Sequence, residues 1–203
     1  MNAAGLTSKK DALVKVAGEL LESGGYGQLK IAEVAEAASV SMSTIYALFG
    51  SKEGLYIAYV EMQLKQFFDE LLCRCDGVDD PAERLRIYIV LKFEHMGHQR
   101  KLVELGMQNN PLFFQSLLNE FNDILEPVHR FLTDNFRRLQ PGTSDTGALL
   151  NARLFNGFAN GCFQHWIEVG GDTEALAGQV CRQFICMMQQ CGGSTTREEG
   201  MIR

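Results

Sequence analysis

The sequence has no apolar run approaching the roughly 18 residues that a membrane-crossing helix needs, and its opening MNAAGLTSKK has no apolar core or cleavage site. A cytoplasmic location without membrane association is therefore expected. Proline is scarce, with only four residues, and these sit near helix ends, which favours an all-α protein. The six cysteines are scattered through apolar helical patterns instead of stapling a short loop-rich chain, so reduced thiols are expected. Catalytic signatures are missing as well. There is no nucleophile–base pairing, no glycine-rich phosphate loop after a strand and no metal-ligand cluster, so neither an enzyme nor a cofactor is expected. Glu94-His95 and His98 come nearest to a metal motif, but without a second cluster, and with Gly97 between the histidines, they read as helix-end residues. Positive charge is also short. Residues 1–56 contain five lysines and no arginine against five glutamates and one aspartate, a net −1, which leaves −5 of the total −6 to the remainder. A domain-wide basic footprint for nucleic acid is absent, and any phosphate contact must come from a few placed lysines, helix N-termini and neutral donors.

What is present is helical periodicity. With 203 residues, 46% apolar and 22% charged, the chain is large enough for a substantial core. A first helix is expected from Thr7 or Ser8, its face traced by Leu13, Val16, Ala17, Leu20 and Leu21, and ending at Ser23-Gly24-Gly25. Ile31, Val34, Ala35 and Ala38 then recur at helical spacing, Ser39-Val40-Ser41 interrupts, and Ile45 and Phe49 resume an apolar face. Two short helices joined by a tight turn form a helix-turn-helix, whose second helix can enter the major groove of DNA. Ser41, Met42 and Ser43 lie at the exposed N-terminal edge of that second helix, where side chains read bases: the serines by hydrogen bonding and Met42 by apolar contact.

Ser51 is placed to cap a longer linking helix through Leu55, Ala58 and Met62 to Leu71. Asp80-Pro81 reads as an N-cap with proline at the first helical position, opening a larger helical region. Helices are expected over Arg84–Met96, about His98–Gln108, from Asn110-Pro111 with an interruption at Pro127, about Ala148–Val169 and Thr173–Gln190. The expected architecture has about nine helices: a helix-turn-helix domain over 1–52, a helical ligand-binding and dimerisation domain over 53–192, and a frayed tail over 193–203.

The N-terminal quarter resembles the TetR family of bacterial transcriptional regulators through Ala17, Gly25-Tyr26, Ile31, Val34-Ala35, Ala38, Val40-Ser41, Ser43-Thr44-Ile45-Tyr46, Phe49 and Ser51-Lys52-Glu53 followed by Leu55. The resemblance implies a homodimer that sits on a palindromic DNA operator and releases it when a small molecule binds. It places Thr44, Tyr46 and Lys52 at the family's phosphate-contacting positions, with Lys30, Lys9 and Lys10 adding charge. The chain departs from the family pattern at Leu29-Lys30, where a capping threonine is usual, at Ser39 in place of the turn glycine, at Met42, where a basic residue is common, and at Leu48 in place of a tyrosine.

The middle helices are rich in large apolar side chains, and most of these should be core. A bundle with an interrupted helix also leaves room for a largely apolar ligand pocket. Candidate lining residues are Phe93, Met96, Met107, Phe114, Leu117 and Phe121, together with Phe155 and Trp166. Polar candidates are His129 and His165, with His95, Gln108, Asn109 and Asn156 as further possibilities. The last two helices read as the dimer surface: Leu150, Leu154, Gly157, Phe158 and Gly161 form one stripe, and Val180, Phe184, Met187 and Met188 the other. The expected function is a ligand-responsive repressor, released from its operator by a small apolar or aromatic molecule. The alternative is a small-molecule-binding or protein-interaction module of the same fold with weakened DNA binding.

Overall fold

The computed structural model describes residues 3–98 and 125–192. Among them are eight α-helices and no strand: α1 Ala3–Gln28, α2 Ile31–Ala37, α3 Met42–Phe49, α4 Lys52–Arg74, α5 Pro81–His98, α6 Glu126–Leu139, α7 Asp145–Val169 and α8 Thr173–Gly192. This is the all-α architecture expected, with a helix count close to nine. The helices expected over about 98–108 and from Asn110 fall outside the described residues, as do Met107, Phe114, Leu117 and Phe121 and the tail 193–203. The described residues gather into two compact units, one holding 3–69 and the other 70–97 with 127–192.

In the first unit α1 begins at Ala3, earlier than the Thr7–Ser8 start expected, and breaks where expected, at Gly25, whose φ of 73° is non-helical. Its apolar face, with Leu13, Ala17 and Leu21, packs with Leu29, Val34, Ala35 and Ile45 and with Leu55, Tyr56 and Tyr59 of α4. Gly18 lets the Tyr59 ring approach, since a Cβ there would lie 2.7 Å from Tyr59 Cε2.

The turn between α2 and α3 is a Schellman motif. The Val40 amide donates to the Ala35 carbonyl at 2.9 Å and the Ser39 amide to the Glu36 carbonyl at 3.1 Å. The position after the cap in that motif is left-handed and usually glycine; here it is Ser39, with φ 54°. A Cβ is disfavoured in this conformation, so Ser39→Gly is expected to stabilise the unit by about 1 kcal/mol, a rise of about 2–4 °C in melting temperature at this chain size. An unchanged melting curve would show that the turn is not strained.

The second unit is built on a buried aromatic cluster. Phe136 lies 5.4 Å from Phe155 and 5.8 Å from Phe184, Phe155 and Phe184 are 5.1 Å apart, and all three meet edge to face. Side chains cap the helix starts, at Asp80 as the sequence predicts and at Ser144 and Asp172 in addition. Asp80 accepts the Ala82 amide at 3.0 Å, Ser144 the Gly147 amide at 3.1 Å, and Asp172 the Glu174 amide at 2.9 Å. Pro127 lies in the first turn of α6, where its missing N–H costs nothing; the helix it is expected to interrupt, from Asn110, lies outside the described residues. Gly97 does not end α5; a Cβ there would come within 3.2 Å of the Trp166 ring, so glycine permits close helix packing. Arg84 ties the α4–α5 turn by donating from Nη1 to the carbonyls of Cys75 at 3.1 Å and Val78 at 3.2 Å.

Candidate nucleic-acid interface

The α3 helix is anchored by Ile45, which is fully buried, and capped at both ends. At its N-terminus Ser41 Oγ accepts the Thr44 amide at 3.2 Å. The same oxygen lies 2.7 Å from Ser43 Oγ and 2.9 Å from Thr44 Oγ1. At its C-terminus Gly50, with φ 76°, closes the helix through a 2.8 Å bond from its amide to the Tyr46 carbonyl. This leaves an outward face on which Met42 is 51% and Tyr46 49% exposed, unusually high for large side chains in a packed unit. The hydroxyls of Ser41, Ser43 and Thr44 form a linked set beside it. A short helix with a solvent-exposed N-terminus, neutral donors and an exposed aromatic can approach a phosphate backbone and a groove edge without a dense positive charge.

The lysines are held less directly. Lys52 Nζ sits 4.4 Å above the Tyr26 ring, a cation–π contact, and desolvation there holds its pKa below the usual lysine range. Tyr26 in turn donates its hydroxyl to Glu53 at 2.8 Å, and hydrogen bonds keep Glu53 below the usual carboxylate range. Lys30 pairs with Glu33 at 2.8 Å. That pair is exposed, so it is worth little and its ammonium can be exchanged onto a phosphate. The sequence pointed to Lys52 but not to the Tyr26 ring beneath it, because the two are 26 positions apart and only tertiary packing brings them together.

Residues 13–59, which contain this whole arrangement, match the profile of bacterial regulatory proteins of the tetR family. The N-terminal part of the chain is similar to that family. A curated relative, the uncharacterized HTH-type transcriptional regulator YvkB of Bacillus subtilis (strain 168), is 27% identical over 163 residues, covering 78% of this chain and 82% of YvkB. Among solved structures, the FadR transcriptional regulator of Bacillus subtilis in complex with stearoyl-CoA superposes with a TM-score of 0.69 at 19% identity, covering 86% of this chain and 96% of that one. A tetR-family transcriptional regulator of Streptomyces coelicolor gives 0.69 at 17% identity, covering 98% and 86%. At those identities the structural likeness speaks for the fold.

The remaining candidates separate by position. Phe93 is fully buried and makes an aromatic group with Phe163, at 5.5 Å, and Trp166, at 6.4 Å. The Trp166 indole N–H donates to the Gly171 carbonyl at 2.9 Å. Phe155 is fully enclosed in the core cluster rather than facing open space. His165 is exposed and His129 half-buried, and the side chain of Met96 lies outside the described ones. His95 bonds to Glu70 at 3.2 Å, and no metal-holding group of three or more residues occurs among the described residues. Of the dimer candidates, Leu150, Leu154 and Met187 are 55%, 53% and 47% exposed, and a Cβ at Gly157 or Gly161 would meet nothing within 4 Å. Phe158 and Met188 are half-buried. Val180 and Phe184 are a correction: both are 1% exposed. The helical period turns them inward to the chain's own core, so neither offers a surface to a partner. Cys75 and Cys181 are buried thiols whose pKa values burial pushes up, to about 12 for Cys181, which disfavours thiolate redox chemistry there.

Proposed function

We propose that the chain is a ligand-responsive, homodimeric DNA-binding repressor. The outward face of α3, with Ser41, Met42, Ser43, Thr44 and Tyr46 on a helix locked at both ends, carries this reading. Lys30 and Lys52 supplement it at the phosphate backbone. The exposed stripe of Leu150, Leu154 and Met187, beside the open glycines 157 and 161, supports pairing of α7 and α8 with a second copy. A two-fold dimer suits a palindromic operator with half-sites about one helical turn apart. The stearoyl-CoA complex of the FadR neighbour supports a small-molecule effector for the C-terminal helices. The α4 helix, whose Tyr56 and Tyr59 are core residues of the first unit and whose Leu71 is buried further along, is the continuous element through which an effector shifts the operator-bound state. The effector changes operator affinity only as far as it prefers one state. No helix among the described residues is long and apolar enough to cross a membrane.

A gel shift with the chain's own upstream DNA at low and moderate salt tests the reading. Lys52→Ala is expected to weaken binding to all sequences alike and to reduce the salt slope by about one. Met42→Ala is expected to alter preference at one operator position. Failure to shift DNA at low salt would favour the same fold acting as a binding module without an operator.

A further inference from the structure

Lys92 interrupts the apolar run Ile87–Phe93, IYIVLKF, on α5. Its ammonium donates to Asn156 Oδ1 of α7 at 2.5 Å and to the Tyr88 hydroxyl at 3.4 Å, and that hydroxyl donates to the same Asn156 oxygen at 2.8 Å. An ammonium has three donors and no acceptor, and a primary amide has two donors. Asn156 Oδ1 takes both incoming bonds, which fixes the amide with its nitrogen turned away, because the flipped amide would set donors against donors. One ammonium N–H and the two amide N–H groups then have no acceptor among the described residues. Among the described residues no carboxylate pairs with Lys92, although buried ammonium groups normally require one. The cluster sits among apolar neighbours, the enclosed Phe155 ring lying 6.3 Å from Tyr88. A surplus of donors around an uncompensated cation, set in apolar surroundings, is complementary to an anion carried on an apolar body.

We infer that Lys92, Asn156 and Tyr88 form the head-group site for an organic carboxylate effector, the carboxylate accepting from Lys92 Nζ and the Asn156 amide. The inference rests on the effector-binding reading above and names the class of effector; it disfavours cationic ligands, which would meet the ammonium. Desolvation supports it, pushing Lys92 from the ordinary lysine range down to about 7. Tyr88 is the titratable group in contact and stays protonated, its pKa raised by burial, while no charged side chain of the other helices acts on Lys92 among the described residues. A bound carboxylate restores the charged form, so binding takes up a proton and affinity falls as pH rises above 7, by up to about tenfold per pH unit. Without ligand the sign also follows. The folded chain binds fewer protons at Lys92 than the unfolded chain above pH 7, so stability rises with pH there, and Lys92→Met removes that rise.

The test compares octanoate, octanol and octyltrimethylammonium on the full chain, read by the fluorescence of the single Trp166 and by thermal shift. Octanoate is expected to bind at least about tenfold more tightly than the other two at pH 6.5–7, a margin set by one charged hydrogen-bonded contact. In Lys92→Met the margin and the pH dependence should vanish. That variant keeps the Tyr88–Asn156 bond and removes a desolvated charge, so it is expected to fold with an unchanged or higher melting temperature; Lys92→Gln gives a polar control. The assignment falls if octanoate gives no response, if octanol binds as tightly, or if the preference survives in Lys92→Met. Binding of octanol alone would leave the effector reading standing, whereas a chain that never shifts operator DNA fails that reading and not this one.

Discussion

Gly54→Ala is expected to lower the melting temperature by about 6–12 °C and to cost most of the operator affinity. A Cβ at Gly54 would lie 2.0 Å from the Phe49 carbonyl oxygen and 3.1 Å from its carbon. The obstacle is backbone, so no rotamer change relieves it. The same segment is fixed by the bond from the Gly54 amide to Ser51 Oγ at 3.0 Å and from the Leu55 amide to the Ser51 carbonyl at 3.2 Å. Relief therefore requires α3 to move away from the start of α4, which reorients the face carrying Met42 and Tyr46. Overpacking of this kind costs about 3 kcal/mol, and at about 2–4 °C per kcal/mol the melting shift follows. Gly50→Ala is the control. Its φ of 76° makes alanine strained, by about 1 kcal/mol, yet nothing lies within 4 Å of the added Cβ. Equal melting temperatures for the two variants would remove close approach as the reason for Gly54.

Phe155→Ala is expected to destabilise the second unit by about 3–5 kcal/mol, because it removes a fully buried ring and leaves a cavity among Tyr88, Phe136 and Phe184. Urea unfolding followed at Trp166 reads that unit, since the indole packs 5.7 Å from Phe163. Phe155→Leu, which keeps most of the volume, should cost far less. A pocket-lining residue would behave otherwise: truncation would change which effectors fit and leave stability nearly intact. A midpoint unmoved by Phe155→Ala would return this residue to the pocket wall.

The division between sequence and structure follows range. Features governed by neighbours within a turn of helix were legible: the apolar spacing of Ile31, Val34, Ala35 and Ile45, the caps at Ser51 and Asp80, and the turn at Ser39. These depend on local hydrogen bonds and on the 3.6-residue period, which a linear pattern records directly. The family motif added positions such as Lys52 for the same reason. Faces were less legible. The α8 stripe of Val180, Phe184 and Met187 reads as one apolar surface, yet Phe184 is sealed by Phe155 and Phe136 while Met187 is exposed. Periodicity gives the direction of a side chain around its own helix but not what stands opposite. Gly54 and Gly97 look like ordinary helix weakeners until the Phe49 carbonyl and the Trp166 ring are seen against them. Sequence by itself determined that this protein is all-helical and presents a helix-turn-helix. Only the tertiary structure decided that Tyr26 lies under Lys52 and that Asn156 meets Lys92, because both pairings join residues distant in the chain, and burial of those ammonium groups, which alters their chemistry, arises from packing.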